Sequence, residues 1–166
     1  MSARVADSRW FRILTVVDQC TRECLCLVAD QSLTGEKVAR ALEPIVHQRG
    51  VPRSITVDNG SAFASRVMDA WAYRHGIQLD FIRPGKPVEN GCIESFNGRL
   101  RDEWLNVDVF FTLEDVREKL ARWQEDYNFL RPHRSRQDRA PASFAAEWVA
   151  TEHTEPAAPE LLETLT

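Results

Sequence analysis

Two β-rich runs separated by only four or five residues constrain this chain most. "WFRILTVVD" (10–18) and "ECLCLVAD" (23–30) flank the short link "QCTR", too short for a crossover, so the pair reads as an antiparallel hairpin. Beyond the hairpin, helical and strand-like segments alternate. "TGEKVARALEPIVHQRG" (34–50) has helical periodicity, a Thr34 cap, a Gly50 stop and Pro44 as an expected kink. "RSITVD" reads as a strand, "SAFASRVMDAWAYRHG" (61–76) as an amphipathic helix and "IQLDFI" (77–82) as a further strand. A long helical stretch, 89–105, comes next. The helix 112–128 has Thr112 as N-cap and an apolar stripe of Leu113, Val116, Leu120, Trp123 and Tyr127, which is core packing. A short helical patch surrounds "ASFAAEWV". This order predicts a mixed α/β sheet flanked by helices.

Composition narrows the class. With 166 residues, 43% hydrophobic and 28% charged, the chain suits one globular domain. No apolar run approaches the ~20 residues of a membrane helix, and the N-terminus lacks a signal peptide's apolar segment, so a cytoplasmic location and no membrane partner are expected. Cys20, Cys24, Cys26 and Cys92 form no zinc-type spacing and read as buried free thiols, with Cys24 and Cys26 sharing one strand face. The net charge of −4 is uneven, because residues 147–166 hold five glutamates and no Lys or Arg. They read as an acidic, disordered tail behind a core of residues 1–146, whose own charge sums to +1. "RPHRSRQDR" (131–139) carries four arginines, suited to phosphate contact.

Within "ITVDNGSAF" the strand ends on Asp58. Asp-Asn-Gly is ordinary turn chemistry, but a strand end is also a rigid mount for a metal-binding carboxylate. A partner would decide between the two. In "ENGCIESFNGRLRDEWL" (89–105), Asn90, Glu94, Asn97 and Arg101 fall on one helical face, while Ile93, Phe96 and Leu100 line another and pack inward. Such a wall is a solvated face or a site for phosphate and hydrated metal.

Thirty-five residues separate Asp58 from Glu94, and a basic residue follows the Glu by seven. With "FRILTVVDQCTRECL", "ITVDNGSAF", "FIRPGKPVENGCIESFNGRLRDEWL" and "YNFLRPHRSRQDRAPASF" in that order, the chain resembles DDE transposases and retroviral integrases. The resemblance is nearest to bacterial transposases of the insertion-sequence-three group and covers roughly residues 4–146. It implies a ribonuclease H-like mixed sheet and a divalent cofactor, Mg²⁺ with Mn²⁺ as substitute. It implies DNA as partner (element ends and target), cut at a 3′ end and then joined to a target, and a homo-oligomer or association with full-length transposase. By motif, Asp58 and Glu94 are the second and third catalytic, metal-holding carboxylates. Arg101 matches a DNA-contacting position, as do Asn59, Lys86 and Asn97 beside the metals, and Arg131, Arg134 and Arg136 are expected to touch phosphate.

One part of the pattern is missing. The family's first carboxylate lies in a W-x-x-D context on a first strand; aligned here, it falls just before Met1, and neither Asp7 nor Asp18 matches it. The expectation is a core shortened at its N-terminus, lacking that strand and ligand, with severely reduced catalysis. Two alternatives stay open: a catalytically inactive fragment that binds DNA or full-length transposase as a regulator, and a ribonuclease-H-like nuclease.

Overall fold

A computed structural model of the chain describes residues 1–6, 9–83, 91–131, 139–151 and 160–165. The expected hairpin forms: β2 (Trp10–Asp18) pairs antiparallel with β3 (Cys24–Asp30). Asp18 closes it, its Oδ1 accepting the backbone N–H of Cys20 at 2.8 Å and of Thr21 at 2.9 Å. The link also needs a left-handed residue, supplied by Arg22 at φ 65°.

The register slips between Val16 and Val17, whose partners are Cys26 and Cys24. The extra residue, Leu25, is a β-bulge, and it reverses the alternation of side chains past it. Cys24 and Cys26 therefore do not share a face: Cys26 packs with the core beneath α1 and α2, Cys24 with the core on the other side. Both are buried free thiols, whereas Cys20 is exposed, because it sits in the hairpin turn.

Helix α1 (Gly35–Arg49) begins where the Thr34 hydroxyl accepts from the Lys37 N–H and stops at Gly50, at φ 89°. Pro44 lies inside it on the exposed side, and the helix continues through it to Arg49 although proline offers no N–H of its own. Strand β4 (Ser54–Val57) pairs in parallel with β5 (Gln78–Phe81). Between them, α2 (Arg66–His75) starts five residues later than its periodicity suggests, because residues 61–64 continue the Asp-Asn-Gly turn and Ser65 provides the cap. Gly35 fits against this turn so closely that a Cβ there would lie 2.9 Å from the Ala62 carbonyl oxygen.

Helix α3 (Gly91–Leu100) runs into a π-helical turn, Arg101–Leu105, in which the Asn106 N–H reaches back five residues to the Arg101 carbonyl at 2.9 Å. Helix α4 (Leu113–Phe129) has the expected Thr112 cap; of its predicted stripe, Val116, Leu120, Trp123 and Tyr127 are buried and Leu113 partly so. Helix α5 spans Pro141–Thr151.

Two strands leave no clear trace in the local sequence. Ser2–Arg4 forms β1, antiparallel to β2. Glu160–Leu165, in the segment whose composition predicts a disordered tail, forms β6. Acidic composition does not register the pairing energy of a central slot. Among the described residues the sheet runs β1-β2-β6-β4-β5 with β3 on the other side of β2; β6 is antiparallel to β2 and parallel to β4. The mixed sheet with helices on both faces is the predicted ribonuclease H-like class.

The sheet separates two cores. On one face α1 and α2 bury Leu14, Val16, Val38, Leu42, Ile55, Val57, Met68 and Trp71. On the other, α3, the π turn and α4 bury Ile13, Val17, Phe96, Trp104, Phe110, Trp123 and Tyr127. Phe96 stands edge-on to both Trp123 and Tyr127, with centroids 5.5 and 4.9 Å away. The outer edge of β3 is covered by α4: Asn128 accepts from the Cys24 N–H (2.8 Å) and donates to its carbonyl (2.9 Å), Gln124 donates to the same carbonyl, and Arg117 donates to that of Ala29.

Candidate functional site around Asp58 and helix α3

Asp58 comes directly after β4 and is half-buried. Its Oδ1 accepts the Gly60 N–H at 2.7 Å, an Asx turn that fixes the carboxylate to the strand end. Asn59 is exposed, and its side-chain amide donates to the Ile82 carbonyl at 3.1 Å, tying this turn to the segment after β5. Here Asn59 clamps the loop. A cleft of about 560 Å³ opens next to β4 and β5, lined by Gln19, Thr56, Asp80, Phe81 and Arg83 among others.

Helix α3 shows the two walls expected from its spacing. Ile93, Phe96 and Leu100 are buried; Glu94 and Arg101 are exposed, with Asn97 between. Phe96 and Leu100 anchor the helix on the aromatic core, which leaves the Glu94 wall outward. Thr15, fully buried in the middle of β2, donates its hydroxyl to the Asn97 Oδ1 at 3.2 Å. This bond holds the polar wall against the sheet. A threonine inside the apolar run "FRILTVVD" is its sequence trace, but a contact spanning 82 positions has no local signature.

The N-terminal amino group joins this neighbourhood. Met1 is buried; its amine donates to the Ile13 carbonyl at 3.2 Å and its own carbonyl accepts from the Ile13 N–H at 2.7 Å. Burial lowers the amine pKa to about 5; Asp58 pulls it up, and Arg101 and Arg12 push it down. All three charges act on the Met1 amine, and Arg12 carries no motif that singles it out in the sequence.

The remaining candidates are dispersed. Arg131 pairs with Glu103 and lies 5.4 Å over the Trp123 ring, and its desolvation, helped by Arg99, lowers its pKa. Arg139 pairs with Glu147. Lys86, Asn90, Arg134 and Arg136 lie outside the described residues, as does Asp7. Among the described residues no three of His, Cys, Asp and Glu come together as a ready metal cluster. The donors on hand, the Asp58 and Glu94 carboxylates and the Asn97 amide, are hard oxygens. They fit a divalent ion that keeps much of its water rather than a closed protein cage.

No helix among the described residues is long and apolar enough to cross a membrane. Residues 3–87 match the family described as integrase core domain, and residues 75–141 match a second family of the same description. The chain is 43% identical over 158 residues to an uncharacterized 31.7 kDa protein of insertion element IS407 from Burkholderia multivorans, covering 95% of this chain and 57% of that protein. It is 27% identical over 130 residues to transposase InsF of insertion sequence IS3A from Escherichia coli, covering 76% of this chain and 45% of the transposase. The chain thus spans about half the length of these relatives. Among solved structures, the integrase catalytic core of HTLV-2, determined with magnesium, superposes with a TM-score of 0.67 at 16% identity over 87% of this chain and 90% of that one. The catalytic core of BIV integrase superposes at 0.68 and 15% identity, over 92% and 95%. The chain therefore belongs to the integrase core domain family.

Proposed function

We propose that this chain is the catalytic-core portion, residues 1–146, of an insertion-sequence transposase that acts on DNA in integration, cutting a 3′ end and joining it to a target with Mg²⁺ or Mn²⁺. What supports this reading is a carboxylate, Asp58, fixed at a strand end by its Asx turn, and a helix α3 that turns Glu94 and Arg101 to the outside, in a chain whose relatives include a transposase. When bound, the divalent ion would supply Lewis-acid stabilisation of the attacking and leaving oxygens of a phosphodiester. Asp58 and Glu94 would hold it. Asn97, steadied by Thr15, would orient its water shell or a phosphate, and Arg101, exposed at the π turn, would neutralise DNA backbone charge. Arg131, Arg134 and Arg136 would add phosphate contacts. The likeness to integrase cores and an intasome supports self-association, or association with full-length transposase, as the working state.

Strand-transfer assays with Mn²⁺ test the reading, alongside isothermal binding of Mn²⁺. Asp58→Asn and Glu94→Gln are expected each to remove most metal binding while leaving the fold intact by circular dichroism. The chain alone is expected to join DNA weakly, because two carboxylates fit one ion better than two. Strong metal-dependent joining that survives Glu94→Gln would overturn it. Binding to unrelated duplexes should weaken steeply between low and moderate salt. Salt-independent affinity unchanged by Arg101→Ala would remove Arg101 from the interface.

A further inference from the structure

The cleft over β4 and β5 holds groups that the metal chemistry does not use. At about 560 Å³ it is large enough for a small organic ligand, and Gln19, Thr56, Asp80, Ile82 and Arg83 are among the residues that line it. The register of the two strands gives its place. Thr56 pairs with Asp80, and the connection runs on past the strand ends: the Ile82 N–H donates to the Val57 carbonyl at 3.0 Å, and Asn59 donates to the Ile82 carbonyl at 3.1 Å. Ile55 and Val57 are buried in the core beneath α1 and α2. Alternation along the strand therefore turns Thr56, and Asp80 opposite it, to the other face, the one that carries α3. Asp58 comes two residues after Thr56, roughly 6.6 Å further along the chain.

Asp80 is half-buried where it lines this cleft, and the Gln78 side-chain amide donates to its Oδ1 at 2.5 Å, which steadies the carboxylate. Thr56 adds a hydroxyl, Ile82 an apolar side chain and Arg83 an exposed guanidinium. A single carboxylate in the company of a guanidinium is a poor cage for a cation. It suits a ligand with a flat apolar body, N–H donors along one edge and negative charge at the other end. A nucleotide has that build.

We propose that this cleft receives one unpaired base of the DNA, and that Asp80 selects a base whose edge carries an exocyclic amine. The inference rests on DNA as the substrate and goes beyond that reading by naming a residue that reads base identity. A phosphate held near Asp58 leaves the neighbouring base within reach of the cleft, because two residues of strand and one nucleotide span comparable distances. Arg83 then neutralises backbone charge, while the Asp80 carboxylate accepts from the amine of cytosine. Thymine has no amine, and its one edge N–H lies between two carbonyl oxygens, which a carboxylate repels. The base must leave the duplex to be read in this way, so the cleft acts on frayed or flipped nucleotides.

The experiment uses the full chain and duplexes that differ only in a single unpaired terminal nucleotide, cytosine or thymine, with binding followed by fluorescence anisotropy. The cytosine-ended duplex is expected to bind about tenfold more tightly, the scale of one hydrogen bond to a charged acceptor. Asp80→Asn should bring the two affinities to within about twofold, because an amide can serve either base. Glu43→Gln, on the other face of the sheet, should keep the full preference. Equal binding of both duplexes by the unaltered chain would overturn the cleft as a base site. A preference that survives Asp80→Asn in a folded protein would overturn Asp80 as its reader. Mononucleotides supply an arm that needs neither a variant nor DNA binding. In NMR titrations of the unaltered chain, deoxycytidine monophosphate should shift the amides of Thr56 and Asp80 through Arg83 at lower concentration than thymidine monophosphate does. Equal shifts from both, or shifts confined to other regions, would overturn the proposal. Those cytidine shifts without binding to any duplex would defeat the DNA reading and leave the cleft as a nucleotide site.

Discussion

The two faces of the sheet are built from different materials. Beneath α1 and α2 the core is mainly aliphatic, with Trp71 and Phe63 as its large fully buried rings, and its polar contacts sit at the rim, where Glu43 accepts the Trp71 Nε1–H at 2.7 Å. Beneath α3 and α4 the core is aromatic, and hydrogen bonds cross from helix to strand within it: Asn97 to Thr15, Asn128 and Gln124 to Cys24. An aliphatic face can be remade from many side chains of suitable volume. A face with directional bonds fixes one helix position, and this is the face that carries the Glu94 wall.

Truncating an anchor on each face is the strongest way to break the comparison. Trp71→Ala and Phe96→Ala should each cost about 3–5 kcal/mol of stability in urea unfolding. Only Phe96→Ala should also lower Mn²⁺ affinity at temperatures where the protein remains folded. Equal losses of metal affinity in both variants would show that the site does not depend on its own face.

A smaller effect tests the directional bonds. Asn128→Leu keeps roughly the volume but strands the Cys24 N–H and carbonyl, at a cost of about 1–3 kcal/mol by equilibrium unfolding. Thr15→Val removes one neutral hydrogen bond, worth about 1 kcal/mol, and should loosen Asn97 enough to weaken Mn²⁺ binding. A variant that loses stability but keeps full affinity would reduce the Thr15–Asn97 bond to packing.

The smallest change belongs to the rim of the aliphatic face. Hydrogen bonding from Trp71, with His75 and His47 nearby, holds the Glu43 carboxyl below its ordinary pKa. The folded state then binds the proton less readily than the unfolded one. The contribution is present above the ordinary carboxylate pKa and is lost as pH falls below it. Glu43→Gln should flatten the acid limb of the stability–pH curve slightly, measured by thermal melts between pH 3 and pH 7; an unchanged limb would show that the contact is too solvated to matter.

Much of this is written in the chain locally. The hairpin, the Thr34 and Thr112 caps, the Gly50 stop and the α4 stripe each depend on neighbours within a few residues, and all are readable. So are the strand-end placement of Asp58 and the two walls of α3. The features that escape a sequence reading depend on distant partners. β6 looks like tail until β2 and β4 are placed on either side of it, the Leu25 bulge that parts Cys24 from Cys26 is a matter of pairing register, and Thr15 acquires its role only when α3 lands on it. The influence of Arg12 on the Met1 amine, alongside Arg101 and Asp58, likewise has no local trace.

The α4 side chains along β3 have a consequence for life at high concentration. An outermost strand ordinarily offers a row of open amides and carbonyls to any extended peptide in solution, and uncontrolled growth by strand addition is how sheet proteins come out of solution. Here Asn128 occupies the outward donor and acceptor of Cys24 much as another strand would, with Arg117 doing the same for the Ala29 carbonyl. A polypeptide approaching along β3 meets bonds already made. Strand addition is disfavoured at those two positions, so copies of the chain at high concentration are less prone to join sheet to sheet there.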